Sequence, residues 1–346
     1  MPSQRKRNSR MIVISTRRRP VRLLTLLSLL LGVLAPAQAA THPGQAALVR
    51  EVARDTGKSP VVLNALLDGA KKQQGILDAI SRPAEAMPWK DYRPIFLTEK
   101  RIDDGIAFYL AHRAMLEQIG RQYGVAPEYL VAIVGVETFY GRNTGKYKVL
   151  DALVTLGLYY PPRAAFFRSE LKTLLELPDN RLAGPLDTLT GSYAGAQGWG
   201  QFMPSSIRDF AVDADGAGRV DLQHSLPDIF ASVANYFVQH GWVSGGPVAA
   251  RAQPDAAAKP ITVKDAQPQW PLEQLEAWGY APLHALDPGQ PTSLQTLDGP
   301  NGTEYWFTFQ NFYVITRYNR SPLYALAVDQ LAKAIAAGVQ QADAAP

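Results

Sequence analysis

One carboxylate stands out for its surroundings. Glu137 follows Leu130, Ile133 and Val134 by seven, four and three residues, spacings that put all four side chains on one face of a helix. Burial among apolar groups disfavours the charged form of a carboxyl and raises its pKa. A carboxyl still protonated near neutral pH can act as a general acid. From helix position alone, the commoner reading is a buried glutamate held by a structural hydrogen bond or ion pair. The segment TFYGRNTG at 138–145 alters the balance. It breaks the helix at once and leaves the carboxylate at a helix end beside a Gly-rich loop, a position that can open onto a cleft.

Three further clusters carry polar chemistry. Gly191 to Ser206, GSYAGAQGWGQFMPSS, places four glycines within ten residues, which allows close backbone approach and unusual φ values. It lacks the Gly-Lys-Ser/Thr ending of a P-loop and the spacing of a G-x-S-x-G elbow. It does present Ser192, Tyr193, Gln197, Trp199 and Gln201 on a tight frame, the hydroxyls, amides and aromatic faces that sugar recognition uses. A Gly-rich connector around core aromatics is the alternative. Tyr318-Asn319 stands just before a helix cap, with Tyr324 one turn in; Asn319 is otherwise a turn residue. Asp213-Ala-Asp215-Gly-Ala217-Gly218-Arg219 opens like an EF-hand loop, yet Ala217 replaces the third oxygen ligand and His224 stands where Glu is required. Asp228, a few residues on, could serve instead; an acidic loop turning through glycines is the alternative.

Other chemistries are excluded by composition. The 346 residues contain no cysteine, so there is no disulfide framework, thiol nucleophile, Cys-based zinc site or lipid-modified cysteine. None of the five histidines sits in H-E-x-x-H spacing. The net charge of +4 comes from the N-terminus: residues 1–40 hold eight Lys/Arg and no acid, and the remainder has 27 basic against 31 acidic residues. The basic pI therefore gives no reason to expect nucleic acid. Arg5 to Arg22 forms a basic region, Leu23 to Leu34 an apolar one, and Ala37-Gln38-Ala39 a small-x-small cleavage site. That layout predicts a signal peptide over 1–39 and a periplasmic mature protein. The apolar run is short of the ~20 residues of a spanning helix, so no stable membrane anchor is expected.

Positioning these groups falls to a mostly helical chain. Ser59-Pro60 opens a helix. Asp103/Asp104 precede an amphipathic run through Ile106, Leu110, Met115 and Ile119. Pro127 opens the helix that carries Glu137, and further helices are predicted at 164–175 and 225–237. Between 245 and 303, Pro, Gly, Ala and Gln dominate, with β-prone pieces at Ile261–Val263 and Ser293–Leu297. Glu304–Thr316 is aromatic and β-branched and is expected to contain strand. Ser321-Pro322 caps a final helix. The expected organisation is a signal peptide at 1–39, a helical region with the catalytic core at 40–244, a small β-rich insertion at 245–303, and a return to the core with a C-terminal helix at 304–346.

Taken in order, GVETFYG at 135–141, GSYAGAQGWGQFMPSS at 191–206, SVANYF at 232–237 and FYVITRYNRSPLYALAV at 312–328 resemble the lytic murein transglycosylase B family, exported bacterial enzymes that cut the glycan strand of peptidoglycan. The resemblance implies a mainly α fold: a lysozyme-like helical core, a flanking helical region and a small β-rich insertion. It implies Glu137 as the single catalytic acid/base, with Ser192, Gln201 and Asn319 near the scissile bond. Tyr92, Tyr236, Tyr318 and Tyr324 match cleft tyrosines, whose rings are expected to pack on sugar faces. Arg163 matches a basic residue near the glycan or peptide stem; Pro162 stands where members often have a second Arg. A calcium loop would map onto Asp213, Asp215, Ala217, Arg219 and Asp228. With Ala217 a departure, calcium binding is expected to be weak or absent, and no cofactor is required.

The implied reaction breaks the β-1,4 bond after N-acetylmuramic acid without water. Glu137 protonates the glycosidic oxygen, then takes the proton of the muramic C6 hydroxyl as that oxygen closes on C1, leaving a 1,6-anhydromuramic product. The nearest rival is a hydrolytic muramidase, for which Asp151 or Asp187 would have to lie within about 5–10 Å of Glu137 as a second acid. A non-catalytic peptidoglycan-binding module is the other. Expected partners are peptidoglycan glycan strands, with cell-wall synthases or amidases as candidate proteins.

Overall fold

A computed structural model describes residues 41–81 and 87–345. The expected signal peptide at 1–39 lies outside the described residues. The described residues form one compact unit.

The N-terminal helices are α1 (Gln45–Thr56), α2 (Pro60–Gly69) and α3 (Gln74–Ile80). They are followed by α4 (Trp89–Phe96), α5 (Glu99–Ala111), α6 (Arg113–Tyr123) and α7 (Pro127–Thr138). The amphipathic run expected from Asp103 is two helices. The first starts earlier, where the Thr98 hydroxyl accepts from the Arg101 N–H, and the two meet at His112. Helix α7 has Leu130 to Val136 buried on every side, as a helix at the centre of a core must be. Then follow β1 (Tyr147–Lys148), α8 (Val149–Tyr159), α9 (Ala164–Glu176), β2 (Thr190–Gly191), α10 (Pro204–Phe210) and α11 (Leu226–Gln239); α5, α6 and α11 pack against α7, and α8 packs against α9. Strands β1 and β2 pair antiparallel, with Tyr147 opposite Gly191.

A second, smaller core follows. Strands β3 (Ala249–Pro254), β4 (Trp270–Pro271), β5 (Tyr280–Pro282), β6 (Pro291–Gly299) and β7 (Gly302–Thr308) form one sheet in the order β4-β6-β7-β3-β5, with α12 (Leu272–Ala277) against it. Leu272, Leu275, Leu294, Phe307 and Phe309 fill that core. Ile261–Val263, read as β-prone, has no ladder partner and is coil. The strand expected within 304–316 stops at Thr308, the last residue paired by both β3 and β6. Beyond it Phe312 and Ile315 recur at helical spacing and are buried in α13 (Gln310–Tyr318). Asn311 fastens this junction: it accepts from the Val243 N–H and donates to the Val243 and Gly246 carbonyls. Helix α14 (Pro322–Ala344) returns across α7. There Tyr129 donates to the buried Asp329 at 2.9 Å, and Lys333 pairs with the same carboxylate at 2.8 Å.

Candidate active site

The site forms where α7 ends. Glu137 occupies its last turn, and Phe139 and Tyr140 then adopt φ of 52° and 59°. Non-glycine residues in this left-handed region are uncommon and persist where the surroundings over-determine them. Here the surroundings do so: the Phe139 and Tyr140 N–H groups donate to the Gly135 and Val134 carbonyls, and the Tyr140 hydroxyl donates to the Arg101 carbonyl. The chain is thus turned back under the Gly-rich segment. Thr138 Oγ1 lies 3.0 Å from the Trp199 carbonyl and accepts from the Gly141 N–H.

The Gly-rich segment needs its glycines for approach. A Cβ on Gly145 would lie 2.0 Å from the Gly191 carbonyl oxygen, and one on Gly141 would lie 2.2 Å from the Trp199 ring. Gln201 is the third non-glycine residue with positive φ, at 51°. Its Nε2 donates to the Thr144 and Gly198 carbonyls, clamping the two loops together. Ser192 Oγ accepts from the Ala194 and Ala196 N–H groups, which leaves its own proton to donate.

The third side comes from the C-terminal helices. Tyr324, in the first turn of α14, donates to Glu137 Oε1 at 2.6 Å. Tyr318 donates to the Gly200 carbonyl, and its ring meets that of Tyr236 at 4.7 Å. Tyr236 donates to the Arg317 carbonyl. Tyr92, half-buried, stacks between Trp89 and Phe96 and lies within electrostatic reach of Tyr324. Tyr236 and Tyr324 are buried. They therefore offer hydroxyls and shape the wall rather than presenting open faces for sugars to stack on. The reason is local: Tyr236 is enclosed by Phe202, Phe210, His240 and Tyr318.

Desolvation pushes the Glu137 carboxyl up to about 7, against the opposing hydrogen bond from Tyr324. No neighbouring carboxylate contributes to that rise. Burial, followed by the nearby Glu137, holds the Tyr318 and Tyr324 phenols well above their usual range, so both remain protonated donors. Glu137 keeps some solvent exposure although its carboxyl is desolvated. Such a carboxyl holds a proton near neutrality and can release and recover it.

Asn319, the cap residue that follows Tyr318 at the end of α13, is exposed. Arg163 is exposed with its guanidinium 5.0 Å from the Phe166 and Phe167 rings. Asp151 is committed to the Lys71 N–H and to Gln73. Asp213, Asp215 and Asp228 do converge, with one oxygen of each within 4.8 Å of the others. Yet Asp228 accepts three backbone N–H bonds, and Asp215 accepts from Ala217 and Ser225. Asp213 Oδ1 is left without a donor. Calcium takes six to eight oxygens, backbone carbonyls and waters among them; three carboxylates converge here, and Ala217 adds no side-chain oxygen. Sequence reasoning missed Thr138 and the Thr144 and Gly200 carbonyls. The carbonyls have no sequence signal, and Thr138 had only its place beside Glu137.

A lysozyme-like helical core with one desolvated carboxyl at a helix end describes a glycan-cleaving enzyme. Residues 41–333 match the family described as "Transglycosylase SLT domain". The membrane-bound lytic murein transglycosylase B of Escherichia coli (strain K12) is 38% identical over 307 residues, 86% of this chain and 84% of that protein. The structure of catenated lytic transglycosylase SltB1 from Pseudomonas aeruginosa aligns with a TM-score of 0.81 at 47% identity, covering 86% of this chain and 98% of that one. Escherichia coli lytic transglycosylase Slt35 in complex with calcium aligns with a TM-score of 0.79 at 38% identity, covering 87% and 95%. The chain belongs to the SLT transglycosylase family and is an enzyme of the peptidoglycan lytic transglycosylase class.

Proposed function

We propose that Glu137 alone serves this reaction, as acid and then as base. The observation that carries the reading is its carboxyl, pushed up to about 7, held by Tyr324 and without a carboxylate partner. In the first step the protonated Glu137 gives its proton to the glycosidic oxygen between N-acetylmuramic acid and N-acetylglucosamine. The C1–O bond breaks, and positive charge develops on the muramic ring. The substrate's own N-acetyl carbonyl relieves it, while Ser192, Gln201 and Asn319 orient the sugar. Tyr324 stabilises the carboxylate just formed, since its O–H donates to it. In the second step that carboxylate takes the C6 hydroxyl proton, and the C6 oxygen bonds to C1. One group suffices because its first proton loss creates the base needed next. The sugar's own hydroxyl replaces water at high effective concentration.

The hydrolytic alternative requires a second acid. Asp151 is drawn toward the α2–α3 connection by Lys71 and Gln73, which favours the water-free route. Mass spectrometry of products from purified sacculi tests the reading: anhydromuropeptides are one water lighter than hydrolytic products, and a hydrolytic product would overturn it. Calcium is not required on this reading, and the site of action is the periplasm after removal of residues 1–39. Among the described residues no helix is long and apolar enough to cross a membrane. Cell-wall synthases or amidases remain the candidate protein partners.

A further inference from the structure

The turn that follows Glu137 is gripped by one face of α5. Arg101, Asp104, Gly105 and Phe108 recur at i, i+3, i+4 and i+7 and so share that face. Each meets a residue of the loops around the carboxyl. The Arg101 guanidinium lies 4.9 Å from the centre of the Phe139 ring, and the Arg101 carbonyl accepts from the Tyr140 hydroxyl at 2.7 Å. Asp104 pairs with Arg142, whose guanidinium is also 4.9 Å from the Phe139 ring. A Cβ on Gly105 would collide with the Tyr140 hydroxyl. The Phe108 ring lies nearly parallel to that of Tyr140 at 6.0 Å and meets that of Trp199 at 5.9 Å. We infer that Arg101 is a positioning residue for this reaction, fixing the left-handed turn at Phe139 and Tyr140 and with it the place of the Glu137 carboxyl; the inference rests on the reading of Glu137 as the acid.

The way Arg101 is held supports this. Among the described residues it forms no ion pair. Its Nε is buried without an acceptor, and one terminal nitrogen donates to the Ile95 carbonyl at 2.6 Å. Its charge is met instead by two rings, Phe96 at 5.2 Å and Phe139 at 4.9 Å. The negative face of an aromatic ring attracts a cation, and a planar guanidinium that never loses its charge can stack on both. The two rings belong to different parts of the wall. Phe96 ends α4 and meets the Tyr92 ring at 5.1 Å, and Tyr92 lies within electrostatic reach of Tyr324. Phe139 stands two residues after Glu137. Arg101 thus ties the turn after the carboxyl to the helix near its hydrogen-bond donor. A carboxylate could hold Arg101 equally well, but its charge would add to the rise in the Glu137 pKa; rings hold the cation without that effect. Two successive non-glycine residues at positive φ carry strain. Without the contacts that impose it, the turn relaxes and re-aims the last turn of α7. An acid must lie within hydrogen-bond reach of the oxygen it protonates, and a displacement of about 1 Å can cost about a hundredfold in rate.

The test compares Arg101→Met, Arg101→Lys, Phe139→Leu and the double variant Arg101→Met/Phe139→Leu with wild type on soluble glycan strands, with a thermal melt of each. Met keeps an unbranched stem without the charge, and Leu keeps apolar bulk without the ring face. Arg101→Met should lower kcat by about ten- to hundredfold while KM stays within about threefold, because the lost interaction orients the acid and does not touch the sugar. Arg101→Lys returns a cation to the rings and should run faster than Arg101→Met. The double variant should be no slower than the slower single one, since both changes remove the same contact. Four results overturn the assignment: a folded Arg101→Met with kcat within about twofold of wild type, a rise in KM that accounts for the whole loss, a Lys variant no faster than the Met variant, or losses that multiply in the double variant. If Arg101→Met does not fold, Phe139→Leu decides by the same split of kcat from KM. Failure of the underlying reading appears separately, as turnover retained by Glu137→Gln.

Discussion

Replacing Glu137 with Gln separates chemistry from folding. The substitution keeps the shape and an oxygen for Tyr324 but can neither donate the required proton nor act as a base. General acid–base groups are worth about 10²–10⁴-fold, and a residue used in both steps should lie at the upper end or beyond. The effect on stability follows from burial. The carboxyl's pKa rises from 4.5 to about 7 on folding, so between these values the folded state binds more protons than the unfolded one. Stability therefore falls as pH rises through this window, and the loss is complete above about pH 7. At about 1.4 kcal/mol per unit, the full cost is about 3 kcal/mol. Glu137→Gln removes it. Relative to wild type, the variant should gain up to about 3 kcal/mol between pH 4 and pH 8. Urea melts at both pH values, alongside anhydromuropeptide release from sacculi, provide the measurements. A folded variant retaining more than about a tenth of wild-type release would refute the catalytic assignment. A stability difference that does not change with pH would refute the desolvated carboxyl on which it stands.

Three further outcomes are expected. Because the first step needs protonated Glu137, kcat/KM should fall as pH rises past about 7; Tyr324→Phe removes the donor that favours the carboxylate and should move this alkaline limb to higher pH, visible in pH–rate profiles of the two proteins. Gly145→Ala places a methyl 2.0 Å from the Gly191 carbonyl at a φ of 98°, so it should separate β1 from β2, lower the melting temperature and abolish turnover; a variant with wild-type melting and rate would show that the loop is free to shift. Millimolar calcium should raise the melting temperature by little, and a shift of several degrees reversed by a chelator would show that Asp213, Asp215 and Asp228 suffice with backbone oxygens.

What could be read in advance follows from how local each signal is. Glu137 was legible because helical spacing against Leu130, Ile133 and Val134 and the helix break after it are both short-range. The caps at Ser59-Pro60 and Ser321-Pro322 were legible for the same reason. Tyr324 could be named through the resemblance, but not its hydrogen bond, since no spacing rule relates residues so far apart. The left-handed Phe139, Tyr140 and Gln201 were also invisible, because aromatic and amide side chains do not announce positive φ and tertiary contacts impose it. Between Glu304 and Thr316 the residue types favour strand throughout, yet the ladder ends at Thr308 where β3 begins. Available partners, rather than propensity, ended it. The tyrosines' burial was missed because a cleft residue and a wall residue have the same composition signal.

The contact that stabilises the Glu137 carboxylate also sets a clock. Glu137 and Tyr324 are 187 residues apart, so at ordinary rates of synthesis the phenol follows the carboxyl by roughly 10–40 s. Throughout that interval the nascent chain contains its acid but not the donor that stabilises the carboxylate, nor the wall supplied by Tyr318. A chain ending before Tyr318 would stay permanently in this unarmed state, however well α7 folds. For an enzyme that cuts the polymer enclosing its own cell, completeness of the chain becomes a condition of activity, imposed by where along the sequence the two partners lie.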